Sequence, residues 1–286
     1  PPSTTPHAGR KWNYAKLDSF AHWPDDESLS MANDWHRKFG LWAIDTANPN
    51  SWASGAMSGA SYLERTSADV VLAQEVKIPS GHLQDQAEQA GRNAKWSLAI
   101  EPCEVTQLGG HSAGTAVAVR SFIGMSEPVA VSASKHLHAQ GHFNMKRVSA
   151  MGKGGVHVGT PYLYSMKGKG GVRAKCNLDL LDSIAFTLGG LVGPWILGGD
   201  WNCVPDVTLD VQSSDPTRYA NTGASLLGEI MADANLWDFR RTQLVHGREP
   251  TRWPLGEVHT NDGPDVVVTR LDRFYIPTND AHEDLL

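Results

Sequence analysis

Short, continuously apolar runs alternate along this chain with segments of helical periodicity, and few folds accommodate that alternation. The strand-like runs are FGLWAID (39–45), ADVVLAQ (68–74), TAVAVR (115–120), GGVHVGT (154–160), PWILGG (194–199), DVVVT (265–269) and RLDRFYI (270–276). Helical periodicity is found in GAMSGASYLERT (55–66), NLDLLDSIAFTL (177–188) and GASLLGEIMADAN (223–235). Because strands that are apolar on both faces must be covered on both faces, the pattern predicts an α/β protein.

Polar side chains follow four of these strands, at the point where each strand ends. Asn48 follows the first strand, Glu75 the second and Tyr162 the fourth, whereas ILGGDWN (196–202) ends in Asp200 and Asn202. The two glycines of that stretch are expected to let the backbone turn sharply beside a ligand. Each junction alone is also explained by an ordinary turn-forming residue. Together, the four junctions predict an active-site floor where the strand ends meet on one rim.

Basic residues are concentrated in one segment of a chain whose formal net charge is −6. Residues 128–178 contain no Asp or Glu and eight basic residues, which are Lys135, Lys146, Arg147, Lys153, Lys167, Lys169, Arg173 and Lys175. A basic segment attracts a phosphate-rich substrate by steering and counterion release. The alternative is a solvated loop system whose charges share a sign. The residues that we predict to contact the substrate are Lys146, Arg147, Lys167, Lys169 and Arg173.

Cysteine content and hydropathy restrict where the chain works. Its three cysteines are too few and too widely spaced for a disulfide framework or a zinc knuckle, which favours a reducing intracellular setting. No uninterrupted apolar run reaches membrane length, so no membrane partner is expected. Residues 1–36 have no apolar core of a secretory signal and are predicted to be a linker or extension ahead of one domain over residues 37–286.

Several of these segments resemble motifs of the endonuclease/exonuclease/phosphatase superfamily. VVLAQE (70–75) is similar to its Gln-Glu strand, GGDWN (198–202) to its Gly-Asp-Phe/Trp-Asn signature, and TRLDRFYI (269–276) to its Ser-Arg-Ile-Asp strand. TANPNSW (46–52) most resembles the branch of LINE-type retrotransposon endonucleases. The resemblance implies a four-layer sandwich of two packed mixed β-sheets flanked by helices. It also implies a monomeric domain of a larger polyprotein that cleaves DNA in the nucleus with Mg²⁺, or with Mn²⁺ in its place.

The resemblance also implies roles for four residues of the predicted rim. Glu75 is the main metal ligand, and Asn48 lies beside it and helps to hold the metal site or Asp200. Asp200 orients or deprotonates the attacking water, and Asn202 holds the phosphoryl group. These residue types suit the chemistry, because a cation and neutral donors offset the charge that develops on a phosphodiester. Mg²⁺ prefers oxygen ligands and keeps several waters, so one carboxylate plus the substrate can suffice.

Two further positions are assigned by the same resemblance. Tyr162 matches a tyrosine near the scissile phosphate, with Tyr164 as the rival for that role. Asp272 matches the aspartate that braces a catalytic histidine in a later Ser-Asp-His element. Only nine residues follow Pro277, so that element and the last family strand are expected to be missing, which leaves the domain incomplete and a sheet edge exposed.

Three functional hypotheses follow. The first is a retroelement-type endonuclease that nicks DNA, with activity impaired by the missing Ser-Asp-His element. The second is a phosphatase of a small phosphorylated metabolite or a lipid headgroup. The third is a homologue that binds nucleic acid without cutting it.

Overall fold

Two β-sheets carry the polar strand ends described above. The computed structural model describes residues 35–38, 40–53, 59–105, 109–129, 141–165, 172–204, 211–212, 227–229, 236–238, 268–269 and 272–277. The helices are α1 (Trp35–Lys38), α2 (Gly59–Arg65), α3 (His82–Asn93) and α4 (Val172–Gly190), and residues 227–229 are also helical. The strands are β1 (Ile44–Ala47), β2 (Val70–Ala73), β3 (Trp96–Glu101), β4 (Glu104–Val105), β5 (His111–Ser112), β6 (Thr115–Arg120), β7 (Met125–Ser126), β8 (Phe143–Val148), β9 (Val156–Pro161), β10 (Trp195–Asp200), β11 (Val211–Gln212), β12 (Leu236–Asp238), β13 (Val268–Thr269) and β14 (Asp272–Pro277).

Each of the two large sheets contains one parallel pair of neighbouring strands. The first sheet has the order β1-β2-β6-β3, and the second has the order β12-β14-β10-β9-β8-β7. The pairs β1/β2 and β9/β10 are parallel, and the other pairs in both sheets are antiparallel. β14 is paired on both sides, with β10 and with β12, so the sheet edge expected to be exposed is not at β14.

The apolar side chains form three layers of core. One cluster lies between the sheets and contains Val70 and Leu72 of β2 together with Val156 and Val158 of β9. A second cluster joins the outer face of the first sheet to α2 and α3. A third joins the outer face of the second sheet to α4. This helix–sheet–sheet–helix order confirms the predicted four-layer sandwich of mixed sheets.

Buried Asp69 holds α1 against the start of β2. Its carboxylate is bonded by His36 at 2.9 Å, by two nitrogens of Arg37 at 2.8 and 3.0 Å, and by the backbone N–H of Ala43 at 3.1 Å. The domain boundary predicted after residue 36 therefore falls within α1. No helix in the described part of the chain is long and apolar enough to cross a membrane.

The apolar strands were easier to predict than the polar elements. The predicted strand at residues 115–120 matches β6, and the strands predicted at 68–74, 154–160, 194–199 and 270–276 overlap β2, β9, β10 and β14. Among the longer elements, α3, β3 and β8 were not predicted from the sequence. In α3 only Ala87 and Gly91 are buried, so the helix has a narrow apolar stripe. Most of the helix predicted at 223–235 and of the strand predicted at 265–269 lies outside the described residues.

Candidate active site

The ends of strands from both sheets meet at one rim. Asn48 follows β1 and Glu75 lies two residues beyond β2, while Tyr162 follows β9 and Asp200 ends β10. The carboxyl ends of parallel neighbours lie at the same sheet edge, so β1/β2 present one pair and β9/β10 the other. A parallel bridge between Tyr162 and Asp200 continues the register of the second pair three positions beyond Leu197 and Gly159. The structure thus brings the predicted strand-end residues together.

Hydrogen bonds connect the two halves of this rim. The Tyr162 hydroxyl donates to Glu75 Oε1 at 2.8 Å. The Asn48 amide Nδ2 lies 3.3 Å from both Glu75 Oε1 and Asp200 Oδ2, so one neutral donor faces two carboxylates. The Tyr162–Glu75 and Asn48–Asp200 contacts cross from one sheet to the other, whereas Asn48 and Glu75 follow strands of the same sheet. We refer to Asn48, Glu75, Tyr162 and Asp200 as the rim cluster.

Left-handed backbone conformations turn two of the predicted site residues. Glu75 has φ +50° and Asn202 has φ +44°. For a residue other than glycine this conformation costs on the order of 1 kcal/mol, and such strain is typical of functional sites. Along β2 the side chain of Glu75 would otherwise point to the outer face of its sheet with Val71 and Ala73. The turn instead directs its carboxylate to Tyr162 on the other sheet.

The two glycines before Asp200 serve close packing and not a turn. Both lie within β10, and neither is among the glycines with positive φ. A Cβ at Gly199 would lie 2.1 Å from the carbonyl oxygen of Pro161 on β9. A Cβ at Gly198 would lie 2.4 Å from the ring of Phe274 on β14. The expected sharp glycine turn is therefore corrected: the glycines allow neighbouring groups to approach the strand that carries Asp200.

Asn202 and the buried Asp200 are fixed by short-range hydrogen bonds. The backbone N–H of Asn202 donates to Asp200 Oδ1 at 2.9 Å, and only 7% of Asp200 is exposed. The Asn202 side-chain amide donates to the carbonyl of Leu163 at 2.6 Å. Asn202 thus adjoins the rim cluster, and its contact with a phosphoryl group stays a prediction.

Tyr162, and not its rival Tyr164, contacts a carboxylate of the rim cluster. The ring of His142 stacks on Tyr164 at 3.8 Å between centroids and on Tyr162 at 5.3 Å. Burial is the main cause that raises the pKa of Tyr162, followed by the charge and hydrogen bond of Glu75. Burial also raises the pKa of Tyr164 to about 12. Both tyrosines therefore remain protonated hydrogen-bond donors at neutral pH.

The predicted substrate-binding residues do not all lie near the rim. Lys146 is 9% exposed, pairs with Glu127 at 2.6 Å, and lies in the middle of β8 and not at the rim. Arg147 follows it and donates to the carbonyl of Gly154. Arg173 lies at the start of α4, and its positive charge offsets part of the rise in the pKa of both tyrosines. The remaining two, Lys167 and Lys169, lie outside the described residues.

Asp272 lies next to the rim through its backbone. It pairs with Asp200 in the antiparallel register of β10 and β14. Its side chain lies outside the described part of the structure, so its role as a brace for a histidine stays a prediction.

Three residues near the rim were missed by the sequence analysis. Lys77, with φ +53°, places its ammonium group 3.2 Å from Glu75 Oε2. Gln74, directly before Glu75, is fully buried between the sheets. His142 precedes β8 and contacts both tyrosines. The sequence shows a lysine two residues after Glu75. Its left-handed backbone conformation and its ion pair with Glu75 could not be predicted from the residues around it.

The donor set of the rim fits a hard divalent cation. The described residues contain no group of three or more His, Cys, Asp or Glu side chains arranged for a metal. Mg²⁺ does not need one, because it commonly binds one or two carboxylates and completes its shell with water and substrate phosphate. The Glu75 side chain is 22% exposed and is connected to Asp200 through Asn48, so oxygen ligands face an accessible rim.

Two buried histidines make stability sensitive to acid. His142 Nδ1 donates to the carbonyl of Tyr162, and His157 Nδ1 donates to the carbonyl of Pro194, so both neutral rings carry their proton on Nδ1. Protonating Nε2 would add a donor where His142 has no partner in the described structure, and where His157 accepts from the N–H of Val129. Burial is the main cause that lowers the pKa of both.

We therefore expect the free energy of unfolding to fall as pH decreases below about 6.5. The unfolded state then binds more protons than the folded state until the lowered folded pKa is reached, and each histidine contributes a slope of at most about 1.4 kcal/mol per pH unit. Urea unfolding at pH 5 to 8 measures the slope. His142→Phe should flatten it, while the same change at the exposed His111 is the control. Equal slopes in the two variants would contradict the assignment.

Solved structures share this architecture. An AP endonuclease from Archaeoglobus fulgidus superposes with a TM-score of 0.63 at 16% identity, over 85% of this chain and 89% of that chain. The APE2 catalytic domain of Xenopus laevis superposes with a TM-score of 0.59 at 17% identity, over 84% of this chain and 83% of that chain. At these identities the likeness shows the fold. No curated protein sequence matches the chain significantly.

The sequence itself carries a family pattern over all strands of the two large sheets except β1. Residues 60–281 match the Endonuclease/Exonuclease/phosphatase family, and this range contains Glu75, Tyr162 and Asp200. Because the matched range covers most of the chain, the protein belongs to the endonuclease/exonuclease/phosphatase family.

Proposed function

We propose that this protein hydrolyses phosphodiester bonds of DNA, with a Mg²⁺ ion at Glu75 and a water molecule activated by Asp200. The observation that carries the proposal is the rim cluster, in which Asn48 and Tyr162 connect the two carboxylates across the sheets. A carboxylate to align water, a second to hold a cation and neutral donors between them are the groups that this hydrolysis needs.

The residues of the rim cluster have separate tasks in this proposal. A divalent cation at Glu75 would offset the negative charge that develops on the phosphoryl oxygens. Asp200, held by Asn48 and by the N–H of Asn202, aligns the attacking water and accepts its proton. Tyr162 keeps its proton, because burial and the charge of Glu75 raise its pKa, and so it acts as a hydrogen-bond donor.

We infer a polyanionic substrate rather than a small phosphoester from Arg173 beside the rim and from the basic composition of residues 128–178; Lys146 does not contribute, because it pairs with Glu127. Arg173 acts electrostatically on both tyrosines and belongs to the segment 128–178, which has no acidic residue. Several such cations along a phosphate backbone bind through counterion release, which a single phosphate group does not provide to the same degree. A retroelement-type endonuclease, acting in the nucleus as a monomeric domain of a larger polyprotein, is proposed on the similarity of TANPNSW alone.

A plasmid-nicking assay tests the proposal directly. Supercoiled DNA with the purified chain and Mg²⁺ is expected to become open-circular, and a chelator should stop the reaction. The rate should fall steeply as salt rises, since counterion release weakens binding by roughly 10³–10⁵-fold between 50 and 200 mM salt for proteins with 6–10 phosphate contacts. Inositol phosphates are the parallel substrates. Faster hydrolysis of those compounds would indicate a phosphatase, and salt-sensitive DNA binding without turnover would indicate a binding protein.

A further inference from the structure

We propose that Gln74 is a positioning residue, which fixes the register of the two sheets beneath the rim cluster and so holds Glu75 against Tyr162. The inference concerns the geometry of the site and rests on the proposed function only for its kinetic readout. It begins from the place of Gln74 in β2. Val70 and Leu72 face the second sheet and pack in the apolar layer, and Gln74 continues the same face as a fully buried amide.

The hydrogen bonds of Gln74 use its whole amide. Its Nε2 lies 2.8 Å from the carbonyl of Leu72, 2.8 Å from Thr160 Oγ1 and 3.1 Å from Thr46 Oγ1, so its two N–H groups face three acceptors. Its Oε1 lies 3.3 Å from Thr46 Oγ1, which donates to it. Thr160 is fully buried as well. One side chain therefore connects β1, β2 and β9, and so spans both sheets.

Each strand connected by Gln74 leads into the rim cluster within two residues. Asn48 is two residues after Thr46, Glu75 directly follows Gln74, and Tyr162 is two residues after Thr160. Two residues of extended chain span only about 7 Å. A displacement of the backbone at any of these three positions therefore also displaces the rim-cluster residue that follows it.

An apolar residue at position 74 could be buried equally well between the sheets. It would not, however, fix the position of one sheet relative to the other. Apolar contacts tolerate small displacements of one sheet over the other, whereas a hydrogen bond constrains both distance and angle. A satisfied buried amide adds little stability over a leucine of similar volume. The benefit of Gln74 is therefore to the relative position of the sheets at the end where Glu75 and Tyr162 meet.

Two substitutions remove the hydrogen bond between Gln74 and Thr160, and two control substitutions leave it in place. Gln74→Leu removes all contacts of the amide, and Thr160→Val removes only the contact across the sheets. Thr160→Ser retains the hydroxyl and is the conservative rescue. Thr115→Val is the matched control, because Thr115 is also fully buried, lies at the start of neighbouring β6, and has a hydroxyl without a partner in the described structure.

The kinetic test compares kcat with KM for DNA nicking in the four variants. A displacement of about 1 Å in a reacting group costs up to 10²-fold in rate, so Gln74→Leu and Thr160→Val should lose roughly 10- to 10²-fold in kcat with little change in KM. Thr160→Ser and Thr115→Val should stay near wild type. If Thr160→Val and Thr115→Val lose the same activity, the proposal is wrong, and this pair decides the matter even if Gln74→Leu does not fold.

Crystal structures provide a readout that does not depend on turnover. In Thr160→Val the distance from Tyr162 Oη to Glu75 Oε1 should exceed the 2.8 Å of the wild type, whereas Thr115→Val should preserve it. Should the wild type cleave no phosphoester, the proposed function fails while this comparison still tests Gln74. An unchanged Tyr162–Glu75 contact in Thr160→Val and Gln74→Leu would overturn the inference.

Discussion

Asp200→Asn is expected to lower kcat for DNA nicking by about 10²–10⁴-fold at saturating Mg²⁺, which is the usual contribution of general-base catalysis. Asp200 is 7% exposed, and its carboxylate accepts hydrogen bonds at both oxygens, from Asn48 and from the N–H of Asn202. Asparagine preserves the shape but cannot accept a proton from water. Its amide nitrogen also replaces one of the two acceptors, so one neighbouring donor loses its partner.

Steady-state nicking rates and urea unfolding of the same preparations separate chemistry from folding. The control is Asp85→Asn, which makes the same chemical change on the exposed face of α3 and should leave the rate within about twofold, as surface substitutions usually do. Nicking by Asp200→Asn at the rate of the control would exclude Asp200 as the base and would remove the central step of the proposed reaction.

The sequence was informative about strands and about which residues end them. GGDWN marks the end of β10, and VVLAQE marks the segment just beyond β2. Two parallel strand pairs bring Asn48 beside Glu75 and Tyr162 beside Asp200. Such convergence could be predicted because parallel neighbours share one carboxyl edge. The packing of two separate sheets then determined which ends face each other.

The groups that support the site were not predictable in the same way. Gln74 and Thr160 are 86 positions apart in the chain, and their contact depends on the register between the sheets. Lys146 illustrates the opposite error. Its charge counted towards a basic segment, but the Lys146 side chain is largely buried and its ammonium group pairs with the exposed Glu127. Net charge of a segment gives no information about the face of a strand on which each charge lies.

Glu75 is connected to more of the rim than any sequence motif indicated. Oε1 accepts from Tyr162 and Asn48, and Oε2 faces the ammonium group of Lys77 at 3.2 Å. A carboxylate oriented from both sides is prepared for a cation before the substrate arrives, which reduces the reorganisation needed during the reaction. The left-handed backbone conformations of Glu75 and of Lys77, two residues later, place the two side chains for this contact.

Glu75→Gln is accordingly expected to raise the Mg²⁺ concentration needed for half-maximal nicking and to lower the rate at a fixed low Mg²⁺ concentration by roughly 10²–10³-fold. The loss corresponds to the several kcal/mol of charge stabilisation that a bound metal supplies, at 1.36 kcal/mol per tenfold. Glutamine still accepts from Tyr162 and Asn48 through its remaining oxygen, so the fold should be retained, but its amide is neutral and a weak ligand for Mg²⁺.

A Mg²⁺ titration of the nicking rate distinguishes this variant from Asp200→Asn. Loss of the metal ligand shifts the titration midpoint, whereas loss of the base lowers the plateau and leaves the midpoint near that of the wild type. Glu88→Gln on α3 is the control, since Glu88 is paired with Arg92 at i,i+4 on that helix and not with a residue of the rim cluster. A midpoint for Glu75→Gln equal to that of Glu88→Gln would place the cation elsewhere, and Glu75 would then serve only to orient Tyr162 and Asn48.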